Sequence, residues 1–170
     1  MMKFKTISIV ASILLLATAC NAKTESSTSV KSSTGTESTN ATPSVSKAAD
    51  PIPQPGGYSN IGYEKLQELL NQGVKVIDIR REDEWKQTGV IKGVKPITFF
   101  DRTGRINPNF VPEFTKLVKK DEPVALICRT GNRTKVASQA IAKQLGYKNV
   151  LNVTHGMMGW LAEKRPVVKY

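Results

Sequence analysis

The sequence predicts an α/β fold: one domain with a mostly parallel sheet and helices on both faces. Three observations carry that expectation. Short apolar runs alternate with segments of helical spacing throughout residues 58–170. Strands separated in this way by helices pair in parallel and take the helices on their faces. That region has about 113 residues, enough for one modest core.

The elements follow in order. Tyr63, Leu66, Leu69 and Leu70 recur at helical spacing, and Gly73 ends the helix. Val74 to Ile79 is a short apolar strand that runs into Asp78-Ile-Arg80. Glu82 to Gln87 reads as a short helix carrying Trp85. Residues 95–109, with Gly104 and two prolines, read as loop. Phe110, Phe114, Leu117 and Val118 mark another helix. Val124 to Cys128 is the most apolar strand; Gly131 breaks it, and Thr134 to Leu145 is a helix closed by Gly146. Val150 to Val153 is a further strand, and Met157 to Ala162 a last turn or short helix.

Two segments precede the domain. Residues 1–19 read as an export signal. Lys3 and Lys5 form a positive head, Ile7 to Ala17 is apolar, and Ala17, Thr18 and Ala19 are small. The apolar run is too short for a lasting bilayer span. Residues 20–57 read as a tether. Ser and Thr fill 14 of the 23 positions from Thr24 to Ser46, too little apolar surface to offset the entropy of ordering. Pro51-Ile-Pro-Gln-Pro-Gly-Gly57 then forms a stiff approach to a turn. The stretch Leu16-Ala-Thr-Ala-Cys20 resembles a bacterial lipobox, although Ala17 stands where a leucine is usual. The resemblance implies cleavage before Cys20 and lipidation of its thiol; ordinary cleavage would give a soluble periplasmic product instead. Asn21 follows, not the aspartate of an inner-membrane retention signal. That implies the outer membrane, facing the periplasm.

The formal net charge is +11, of which Lys3 and Lys5 carry two. The tether balances Lys23, Lys31 and Lys47 against Glu25, Glu37 and Asp50, so the remaining excess lies in the domain. Such a charge suits small anionic substrates, an anionic membrane surface or an acidic partner. Basic and aromatic residues are not interleaved, which argues against nucleic acid. There are two cysteines. With Cys20 lipidated, Cys128 has no disulfide partner. A single histidine, His155, without any Cys/His cluster argues against a zinc site.

Cys128 falls at the carboxyl end of its strand, where ligands of parallel sheets bind. The loop reads Cys128-Arg129-Thr130-Gly131-Asn132-Arg133-Thr134. Gly131 allows tight curvature, and backbone N–H groups at the following helix start can cradle an anion. Arg129 and Arg133 add positive charge, which favours thiolate. Arg133 closes the loop, where its fork can reach back over the anion site; Arg129 points toward the incoming donor. The alternative is a buried, inert cysteine with both arginines in solvent.

This loop resembles the active-site loop of single-domain rhodanese sulfurtransferases. Asp78-Ile-Arg80 and Glu84-Trp85 resemble further motifs of that family. So do Gly89-Val-Ile-Lys-Gly93, with Val90 in place of a histidine, and His155-Gly-Met-Met-Gly-Trp160, with His155 in place of a glycine. The resemblance implies that Cys128 takes a sulfane sulfur as a persulfide. Arg129, Thr130, Gly131, Asn132, Arg133 and Thr134 would surround the donor. A small anion such as thiosulfate would supply the sulfur, and cyanide or a thiol would accept it. This chemistry requires no metal or organic cofactor, and the chain is read as a monomer. Cys128 to Arg133 spans six residues, one fewer than the Cys-x5-Arg loop of cysteine phosphatases, and Thr134 stands where their arginine would be. Loop length therefore disfavours a phosphatase or arsenate reductase. A non-enzymatic binding or sulfur-sensing module is the other alternative. Asp78 and Arg80 read as a structural brace of the domain, Trp85 and Trp160 as packing, and His155 as a loop residue.

Overall fold

The computed structural model describes residues 49–170. The signal, Cys20 and most of the tether lie outside the described residues. Val124–Ile127 forms β5, and none of its four side chains reaches solvent. A strand so apolar needs cover on both faces and neighbours on both edges. It has both. β6 (Val150–Val153) and β3 (Lys75–Asp78) flank it, each in parallel. β2 (Tyr58–Ile61) extends the sheet beyond β6, and β4 (Lys95–Pro96) beyond β3, again in parallel. β1 (Ile52–Gln54) pairs antiparallel with β2, giving the order β1-β2-β6-β5-β3-β4.

Alternation along β5 divides the core. Val124, Leu126 and Cys128 face α3 (Phe110–Leu117) and α4 (Asn132–Leu145), where they meet Phe110, Phe114, Ala137 and Ile141. Ala125 and Ile127 belong to the other face, with Leu66 and Leu69 of α1 (Tyr63–Asn71), Trp85 of α2 (Glu82–Thr88), and Met157 and Trp160 of α5 (Gly156–Ala162). Full burial of each large apolar side chain stabilises the fold by about 1.5–3 kcal/mol. The α/β architecture expected from the sequence, with helices on both faces, is thus observed.

The differences are local. The sheet enters the segment read as tether: Gln54 and Gly57 close a tight turn through Gly57 N–H to Gln54 O at 3.1 Å, with Gly57 at φ 78°. Three prolines in Pro51–Pro55 and the polar Ser59 and Asn60 hide these two strands from a search for apolar alternation. Pro53 is tolerated because β1 is an edge strand. Residues 95–109 are not wholly loop, since Lys95–Pro96 pairs with β3 and Phe100 bridges to Ile106. α4 begins at Asn132, two residues before Thr134, and α5 begins at Gly156.

Candidate active site

β5 delivers Cys128 to the carboxyl edge of the sheet, and α4 starts four residues later. Gly131 caps α4 in the left-handed region at φ 92°, and that turn aims its N–H back at the cysteine. The N–H donates to Cys128 Sγ at 3.2 Å. Thr134 Oγ1 lies 3.5 Å from the same sulfur and bonds Gly131 O at 2.9 Å. Among the described residues, the amides of Thr130, Asn132, Arg133 and Thr134 have no protein acceptor. Three of these form the first turn of a 14-residue helix, whose dipole favours negative charge at that end. The loop therefore carries four unpaired amides beside the one that already binds the sulfur. Cys128 is a free thiol and fully buried.

α5 holds the loop from below. Met157 N–H donates to Cys128 O at 2.8 Å, and Met158 N–H to Arg129 O at 2.9 Å. This approach requires Gly156: a Cβ there would lie 2.6 Å from the carbonyl carbon of Arg129. Tyr63 Oη donates to Gly156 O at 2.7 Å, and burial pushes its hydroxyl up to about 12, so it stays protonated as a donor. His155, which stands where the resembling motif has glycine, adopts φ 62°. That is the left-handed region, where glycine is unstrained.

The polar residues at the loop divide into two sets. Arg129, Thr130 and Asn132 are exposed around the loop. Arg133 does not reach over the anion site. Its fork grips Glu84 instead, with Nη1 to Oε2 at 2.7 Å and Nη2 to Oε1 at 2.6 Å. Glu84 Oε2 also accepts the Arg81 N–H that opens α2. Burial opposes ionisation of Glu84, but these two donors outweigh it and hold the carboxyl below its usual range. Burial likewise opposes charge on Arg133, yet Glu84, with Cys128 and Asp78 nearby, raises it further. Arg133 thus keeps its charge and adds to the field at Cys128 while anchored to α2. Asp78 and Arg80 pair with each other at 2.7 Å in the interior. Arg80 also binds Thr88 Oγ1 and Gly89 O, which ties the end of β3 to the end of α2.

The partnership of Glu84 with Arg133 was not legible in the sequence, where 49 positions separate them. A cleft of about 350 Å³ was missed as well; Arg129, Glu84, Gln87, Met158 and Leu161 are among the residues lining it. It opens beside the loop between α2 and α5. Among the described residues, no cluster of three or more His, Cys, Asp or Glu could hold a metal ion.

Fold and loop together define an α/β domain whose buried thiol lies in a turn of unpaired backbone donors at a strand end. Residues 63–163 match the rhodanese-like domain family, and the chain belongs to that family. An uncharacterized protein of Rickettsia prowazekii is 32% identical over 95 residues, spanning 54% of this chain and 75% of that protein. Thiosulfate sulfurtransferase 18 of Arabidopsis thaliana is 25% identical over 114 residues, 64% of this chain and 82% of that one. A solved rhodanese-related protein of Thermoplasma volcanium is 28% identical with a TM-score of 0.52, covering 65% of this chain and 98% of its own.

Proposed function

We propose that the chain is a sulfurtransferase that carries sulfur on Cys128. The observation that supports this most is the Gly131 N–H on Sγ in a loop whose neighbouring amides are unpaired. In the first half-reaction, the Cys128 thiolate attacks the outer sulfur of thiosulfate. The sulfur–sulfur bond breaks, and sulfite leaves with the electron pair. The terminal sulfur of the new persulfide carries the negative charge and lies among the loop amides, which stabilise it without reorganising. In the second half-reaction, cyanide or a thiolate attacks that terminal sulfur, and the Cys128 thiolate is restored. Arg129 sits at the mouth, where its charge raises the local concentration of the donor anion. Arg133 supplies field from its anchored position. The cleft between α2 and α5 is large enough for an acceptor bigger than cyanide.

The engagement of Arg133 by Glu84 and the six-residue loop both favour sulfur over phosphoryl transfer. The location belongs to the same proposal: lipidation at Cys20 would hold the domain at the periplasmic face of a bacterial membrane, the outer one given Asn21. Among the described residues, no helix is long and apolar enough to cross a membrane. Steady-state assays with thiosulfate and cyanide, run beside an aryl phosphate, test the function. Thiocyanate should form with wild type and not with Cys128→Ser. Phosphate release that depends on Cys128 and exceeds thiocyanate formation would overturn the proposal. Tight anion binding without turnover would favour a binding module.

A further inference from the structure

A second cavity, of about 660 Å³, lies away from the loop. Its position follows from the sheet register. β3 and β5 run in parallel, with Lys75 opposite Val124 and Asp78 opposite Ile127. The cavity takes in Lys75 and Val74 at the amino end of β3, whereas Cys128 lies just past the carboxyl end of β5. Three residues of strand, about 10 Å, separate the two levels. No residue of the Cys128 loop lines the cavity.

Its lining has apolar, basic and neutral polar parts, the last being Gln67 and Asn71, which bond each other at 3.2 Å. Leu70, Ile91, Trp160, Pro166, Val167 and Val168 give it an apolar interior. Val167 and Val168 are 37% and 42% exposed, although apolar. Lys75, Lys92 and Lys95 stand around it, and no lining residue is Asp or Glu. Lys75 is already paired, with Glu122 at 2.6 Å. Lys92 and Lys95 have no carboxylate partner among the described residues. The volume falls within the range of small-molecule sites.

We infer that this cavity binds a single-chain amphiphile with an anionic head, of the class of a medium-length alkyl carboxylate. The apolar interior takes the chain, and Lys92 and Lys95 take the head. A bare inorganic anion would leave the apolar walls in water. A neutral chain would leave both ammonium groups unpaired, and a cationic one would be repelled. The inference goes beyond the sulfur chemistry and stands without it.

Calorimetric titration of the full-length chain with decanoate tests it, with decanol and decyltrimethylammonium as controls. Decanoate should saturate one site below its micelle concentration. Affinity should fall at least tenfold in K92E/K95E, whose substituted side chains are exposed, with circular dichroism confirming the fold. It should also fall in V167D, and it should weaken with salt. Cys128→Ala should bind as wild type does. Unsaturable heats, equal affinity of K92E/K95E, or equal binding of decyltrimethylammonium would overturn the inference. So would association with anionic phospholipid vesicles in the absence of any decanoate binding, which would make the lysines a membrane-facing patch.

Discussion

Glu84 connects the Cys128 loop to α2 through Arg133. Its carboxylate is 12% exposed and Arg133 is 21% exposed, between a surface pair and a buried one. Glu84→Gln is therefore expected to lower unfolding free energy at pH 7 by about 1–2 kcal/mol, between the two limits. The pH dependence has a fixed sign. Because folding lowers the Glu84 titration, its stabilisation is complete above its ordinary value of 4.5 and is lost as pH falls through the lowered folded value. Urea unfolding at a series of pH values should show wild type and Glu84→Gln converging on the acid side; a constant gap would refute this. Arg133→Ala should lower kcat/KM for thiosulfate about tenfold, or about 1.4 kcal/mol, and Arg133→Lys should rescue poorly because it lacks the planar fork. Arg129→Ala, which leaves no broken pair, should act mainly on the apparent KM and less so at high salt. Cys128 and its loop were legible because they are contiguous and chemically distinctive. The anchoring of Arg133 was not, because only the tertiary fold brings α2 to the loop.

At the scale of elements, the join of α5 to the loop is tightly constrained. Gly156→Ala would force a methyl group against the Arg129 backbone at a left-handed position, and is expected to cost at least about 2–3 kcal/mol. His155→Gly should do the reverse. It removes a side chain from φ 62°, and relief of strain less the added chain entropy should stabilise by about 0.5–1 kcal/mol. Thermal unfolding of the two variants checks both, and destabilisation by His155→Gly would mean that its side chain contributes a contact worth more than the strain. Helices α1 and α4 were readable because glycines, Gly73 and Gly146, end them, and α3 because Phe110 and Phe114 recur at helical spacing. β1 and β2 were not, since their prolines and polar residues break the alternation that marks a strand, and pairing between them supplies what the pattern lacks.

At the scale of the whole molecule, the sheet places a thiol at its carboxyl edge, two helices fix the loop around it, and Arg129 stands exposed beside it. The apolar centre of the sheet was plain in the sequence because Val124 to Ile127 tolerates no other environment. The second cavity was invisible there, since its lining comes from residues 67–75, 91–95, 160 and 166–168, which meet only in the folded chain. The central claim is that Cys128 carries sulfur covalently, and intact mass tests it most directly. The purified, reduced chain is treated with thiosulfate, freed of excess, and weighed before and after cyanide. The account requires a gain of one sulfur, about 32 Da by atomic mass, which the Cys128 thiolate must form, which cyanide removes, and which Cys128→Ala never shows. No gain in wild type, or an equal gain in Cys128→Ala, would contradict it.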